Sequence, residues 1–140
     1  MSAYDVMKEF LDKLEVRYDG FKQDDTSYIV IRESIGDTGV ISRVLIFFYD
    51  KRNTFDILID NIAKVEPGTS QVTQMLEVCN DFNRETSYVK MYVRDEGEVV
   101  AQITKDYEEF DPDDVISAAS VVLDIIKKDY INRFMKIKWA

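Results

Sequence analysis

The segment from Ser27 to Ile62 constrains the fold most, because in its first and last stretches the apolar residues recur at every second position. Side chains of a strand point alternately to its two faces, so a period of two is what a sheet with one buried face requires. In Ser27–Ile35, residues Ile29, Ile31 and Ile35 share one face, with Tyr28, Val30 and Arg32 on the other. In Thr54–Ile62, Phe55, Ile57 and Ile59 oppose Thr54, Asp56, Leu58 and Asp60. Between them VISRVLIFFY (Val40–Tyr49) is apolar on both faces except at Ser42 and Arg43, the pattern of a central strand covered on both sides. The turn segments Gly36-Asp37-Thr38-Gly39 and Asp50-Lys51-Arg52-Asn53 are short, which predicts an antiparallel meander.

The second half repeats this logic around the stretch Leu76–Ile103. A helix is predicted to start at Thr69 or Ser70, either of which can cap it, with Val72, Met75, Leu76, Cys79 and Phe82 as its stripe. A turn through Asn83 leads to a strand from Ser87 to Arg94, with Val89, Met91 and Val93 facing one way and Tyr88, Lys90, Tyr92 and Arg94 the other. Asp95-Glu96-Gly97 suits a hairpin with glycine in the left-handed position, and Val99, Ala101 and Ile103 continue the buried face beyond it.

Helices bracket these strands. Ala3, Val6, Met7, Phe10 and Leu14 recur at helical spacing, and Asp19-Gly20 and Gln23-Asp24-Asp25 read as a turn region. Asp111 as N-cap with Pro112 in the first turn opens one long final helix, whose stripe is Val115, Ala119, Val122, Ile126, Tyr130 and Phe134. Its first half carries more apolar residues than one sheet face covers, so the first helix or another subunit is expected beside it. The expected fold is α+β: an antiparallel five-stranded sheet with helices packed on one face, in the order αβββαββα, as a single domain over residues 1–140.

Charge and composition exclude several functions. With 27 acidic and 18 basic side chains the formal net charge is −9, a surface that repels phosphate backbones, so no nucleic-acid partner is expected. One cysteine permits no intramolecular disulfide and suits a reducing compartment. The N-terminus lacks the apolar segment of a secretory signal, and the apolar run Val115–Ile126 is too short to span a membrane. A cytoplasmic location and no membrane partner follow as expectations. Histidine is absent, which removes the commonest general base and the usual zinc ligand.

The remaining clusters have structural readings. Asp106–Asp114 is acidic enough to suggest a divalent cation, but it lacks the EF-hand spacing and contains a helix start. Lys127, Lys128, Arg133, Lys136 and Lys138 complement a helix C-terminus, with Trp139 as a terminal packing anchor. Cys79 sits in an apolar stripe and reads as core. No cofactor, metal or catalytic residue is indicated, and an enzyme built on carboxylates alone is the weaker alternative. The surface that stands out is the second sheet face, where Tyr88, Lys90, Tyr92 and Arg94 are expected beside Tyr28 and Leu58. Aromatic and arginine side chains on an open face suit a protein interface. A small-molecule-sensing role would instead need an enclosed pocket.

Leu76, Asn80, Phe82-Asn83-Arg84-Glu85-Thr86, Tyr88-Val89-Lys90-Met91-Tyr92 and Asp95-Glu96-Gly97-Glu98-Val99-Val100, with Arg133-Phe134-Met135 and Trp139, resemble the signature of the YbjN-domain family of bacterial sensory transduction regulators. The resemblance runs from Phe10 to Trp139 in element order and is most specific between Leu76 and Val100. At Asn83 a helix-terminating role is sufficient. The family is similar in fold to type III secretion chaperones, which are small acidic dimers that hold an effector segment in non-globular form. The resemblance implies a non-enzymatic regulator or chaperone-like module that binds an unknown protein partner, with a homodimer expected.

Overall fold

A computed structural model describes residues 2–35 and 39–138. The turn expected at Gly36-Asp37-Thr38, the anchor at Trp139 and the side chain of Lys138 lie outside the described residues. The elements run α1 (Ala3–Lys13), β1 (Asp19–Gln23), β2 (Thr26–Ile35), β3 (Val40–Tyr49), β4 (Thr54–Lys64), α2 (Ser70–Glu85), β5 (Lys90–Val93), β6 (Glu98–Asp106), α3 (Pro112–Ile125) and α4 (Ile131–Lys138). A single sheet of spatial order β1-β2-β3-β4-β6-β5 contains all six strands, each pair antiparallel.

The expectation of five strands in the order αβββαββα is therefore corrected. The additional strand is β1, in the segment read as a turn region, and all five of its residues are exposed. A strand wet on both faces has no apolar period to reveal it. The last helix is also interrupted: a π-helical segment, Ile126–Tyr130, joins α3 to α4. The stripe residues Val122, Ile126, Tyr130 and Phe134 recur every fourth position, and each such step overshoots a full α-helical turn by about 40°. The wider π turn absorbs that drift, keeping Ile126, Tyr130, Ile131 and Phe134 all buried.

The helices cover one sheet face. Tyr4, Met7 and Leu11 of α1, Met75, Val78, Cys79 and Phe82 of α2, and Val115, Ala119 and Val122 of α3 join Ile29, Ile46, Phe48, Ile57, Val99 and Ile103 in one buried cluster. Phe82 and Tyr130 meet edge to face at 5.2 Å between α2 and the π segment. Arg133 of α4 donates to Asp81 of α2 at 2.6 Å, and Arg84 pairs with the same carboxylate. Asp111 caps α3, its carboxylate accepting from the Asp113 N–H at 2.9 Å. Thr69 occupies the N-cap position of α2 without a side-chain cap, its hydroxyl instead donating to the Glu66 carbonyl. The β5–β6 hairpin needs glycine at residue 97, where φ is +87° and an added Cβ would stand 2.0 Å from the Val65 carbonyl oxygen.

Candidate functional site

The other sheet face carries no helix. Register across the strands lays its side chains out in rows: Phe21, Tyr28, Phe47, Asp56 and Thr104, then Asp19, Val30, Leu45, Leu58, Gln102 and Lys90. Val30, Leu45, Leu58 and Val100 form a second small buried cluster, with Tyr28, Phe47 and Tyr92 packed against it. The strands themselves supply this cover. The apolar character of β3 on both faces thus has a different cause from the one expected: helices bury one side, and neighbouring aromatic rings bury the other.

The aromatic residues make a ladder. Phe21 stacks on Tyr28 at 4.7 Å, Tyr28 on Phe47 at 5.3 Å and Phe47 on Tyr49 at 6.1 Å, and the Arg52 guanidinium lies 4.3 Å from the Tyr49 ring centroid. Beside the ladder runs a polar chain. The Tyr92 hydroxyl donates to Gln102 Oε1 at 2.6 Å, Gln102 Nε2 donates to Asp56 Oδ2 at 3.0 Å, and Thr104 donates to Asp56 Oδ1 at 2.7 Å. Burial, and then the negative charge of Asp56, hold the Tyr49 phenol above its ordinary value.

At the far end of the face β4 bulges between Ile59 and Ala63, with Asn61 at φ +57°. Asp60, only 2% exposed, accepts two hydrogen bonds from Arg43, at 2.9 and 2.5 Å. A shallow hollow of about 450 Å³ lies here, lined by Arg32, Arg43, Asn61, Lys64 and Glu98. Arg43 is held by Asp60 and Arg32 by Asp19 at 2.8 Å, so much of its positive charge is already answered. Cations and carboxylates alternate across this face. The acid excess is concentrated instead around the start of α3 (Glu108, Glu109, Asp111, Asp113, Asp114).

Of the residues singled out from the sequence, Tyr28, Leu58, Lys90 and Tyr92 share this face. Lys90 is exposed, its ammonium 5.1 Å from the Tyr92 ring centroid; Leu58 lies buried beneath its neighbours. Arg94 follows β5 and turns toward Glu98 at 3.7 Å and Glu96 at 4.0 Å. Tyr88 departs from expectation: pairing begins at Lys90, and Tyr88 stands in the preceding bend, 50% exposed. Sequence reading missed Phe21, Phe47 and Tyr49 as members of the face, although Phe47 and Tyr49 share the parity of Leu45 within VISRVLIFFY. Asn83 does not end α2, which runs on to Glu85 with Thr86 as its C-cap; its side-chain amide instead bonds both the backbone N–H and the backbone C=O of Met91. Cys79 is buried, and burial pushes its thiol up to about 12.

Comparison with one solved structure comes to the same fold. A chain in the structure of the HopA1–SchA chaperone–effector complex superposes with a TM-score of 0.59 at 13% identity, covering 93% of this chain and 94% of that one. The crystal structure of YbjN from E. coli gives a TM-score of 0.47 at 19% identity, covering 86% and 89%. No curated protein matches the chain. The YbjN family model, described as "Putative bacterial sensory transduction regulator", matches residues 3–131, and the chain belongs to that family.

Proposed function

We propose that this protein is a cytoplasmic, non-enzymatic binding module, a regulator or chaperone-like protein, that holds a protein partner against its helix-free sheet face and works as a homodimer. The observation that carries this reading is the face itself: a ladder of Phe21, Tyr28, Phe47 and Tyr49 over a small apolar cluster. Flat aromatic surface offers large contact area at little conformational cost, and the Lys90 and Arg94 donors at its edge suit partner carbonyls and carboxylates. Family membership supports a regulatory role, and the chaperone–effector neighbour is a precedent for this fold alongside a protein partner. Tyr88, exposed beside β5, extends the proposed contact surface.

A second reading, a small-molecule sensor, draws on the hollow at Arg32, Arg43, Asn61, Lys64 and Glu98. Its cations are largely occupied and it is open to solvent, so it offers a ligand little enclosure. A photoreactive residue at Lys90, on the open face, compared with one at Ser117 on the outside of α3, tests the main reading in the native cell. A discrete adduct with another protein is expected from position 90 and not from 117. An adduct from position 117 alone, or none from position 90, would overturn it.

A further inference from the structure

The two edges of the sheet are treated differently. At the β5 edge, the pairing of Met91 with Ala101 leaves the Met91 N–H and C=O pointing outward, and Asn83 closes both, at 2.7 and 2.9 Å. At the β1 edge, the turn at Asp24-Asp25 closes on the Gln23/Thr26 pair. Antiparallel pairs alternate between hydrogen-bonded and non-hydrogen-bonded, so Gly20 and Lys22 direct their N–H and C=O groups away from β2. Among the described residues nothing bonds to those outward groups. The strand is exposed throughout, and the aromatic ladder of the open face ends on it at Phe21, 42% exposed.

We infer that β1 is a self-pairing edge, whose occupant is the β1 strand of a second copy, antiparallel and centred on Phe21. The register follows from the residues. An edge-to-edge pair must join outward-facing residues, which are Gly20 and Lys22. A two-fold axis at Phe21 sets Gly20 opposite the second copy's Lys22 and Lys22 opposite its Gly20, so every outward group of both strands is used. An axis at Lys22 sets like charges against each other, and an axis at Gly20 leaves Lys22 facing Tyr18, outside the strand. With the axis at Phe21, Asp19 meets Gln23, and no like charges are opposed. Gly20 suits this arrangement, because Tyr4 and Lys8 of α1 already crowd its helix side and an added Cβ would stand 2.6 Å from the Tyr4 hydroxyl. The two Phe21 rings form the non-hydrogen-bonded centre of the seam, where side chains approach closest. Their ladders then join into one strip, Phe47-Tyr28-Phe21 running into its symmetry mate. The seam gives the proposed homodimer a location and rests on that reading.

Sedimentation of the full chain, up to about 100 μM, tests both levels. The native chain is expected to dimerise, and Lys22→Pro to weaken dimerisation at least tenfold with unchanged circular dichroism, because it removes an outward N–H that β2 does not use. Phe21→Cys is expected to form a disulfide-linked dimer with oxidised glutathione much faster than Ser117→Cys. A native chain that stays monomeric overturns the dimer and the seam together. A dimer that survives Lys22→Pro, or whose Phe21→Cys form links no faster than the Ser117→Cys control, overturns the seam and leaves dimerisation standing.

Discussion

Asn83 closes the outer edge of β5 through Met91: its Nδ2 donates to the Met91 carbonyl at 2.9 Å and its Oδ1 accepts from the Met91 N–H at 2.7 Å. One amide side chain in the last turn of α2 thereby stands in for the next strand of the sheet. It ties the helical layer to the sheet and blocks further pairing at that edge.

Asn83→Ala removes both bonds and is expected to destabilise the fold by about 2 kcal/mol, at about 1 kcal/mol for each lost hydrogen bond. Asn83→Asp keeps the acceptor but sets a carboxylate oxygen against the Met91 carbonyl, so it is expected to be no milder. Urea denaturation of the variants measures this. An unchanged midpoint in Asn83→Ala would show that the contact contributes nothing.

Asp81 links α2 to α4, and the guanidinium of Arg133, then that of Arg84, hold its carboxyl below the usual value of 3.8. A depressed folded pKa gives stability that is present above the unfolded pKa and is lost as pH falls through the folded one. Stability is therefore expected to decline below about pH 4 partly through this group. Asp81→Asn should be less stable than the native chain near neutrality and nearly equal to it at the acid end. Parallel curves for the two proteins between neutrality and acid would contradict that linkage.

Cys79 is shut in the core with its thiol pushed up to about 12, so at pH 8 almost no thiolate exists in the folded chain. Reaction with Ellman's reagent is expected to track unfolding, appearing with the urea transition and not before it. Stoichiometric labelling of the native chain within seconds would place the thiol outside the core.

The faces of β2, β4 and β6 were legible because one side of each carries the core, which imposes a period of two, whereas β3 is apolar on both sides and shows no such period. The same logic failed at β1, where Asp19–Gln23 is wet on both sides and Phe21 is a single aromatic among polar neighbours. It also overran at Tyr88, since alternation continues in sequence for two residues beyond the point where pairing starts at Lys90. Tyr28, Leu58, Lys90 and Tyr92 fell on one face because parity alone decides that. The ladder through Phe47 and the polar chain from Tyr92 through Gln102 to Asp56 were not legible, because both depend on which strands are neighbours. The placement of β6 between β4 and β5 is a tertiary fact, and it is what brings Gln102 to Asp56.

The central claim is that the open sheet face binds a protein. Its most direct test is recovery of the partner that co-purifies with the tagged native chain, compared with a Tyr28→Ala, Tyr92→Ala variant whose fold is verified by circular dichroism. Tyr28 is the middle of the ladder and Tyr92 the start of the polar chain, so their loss removes the centre of the surface while the helix-covered core stays intact. Recovery is expected to fall at least tenfold. Undiminished recovery by the folded variant would contradict the account.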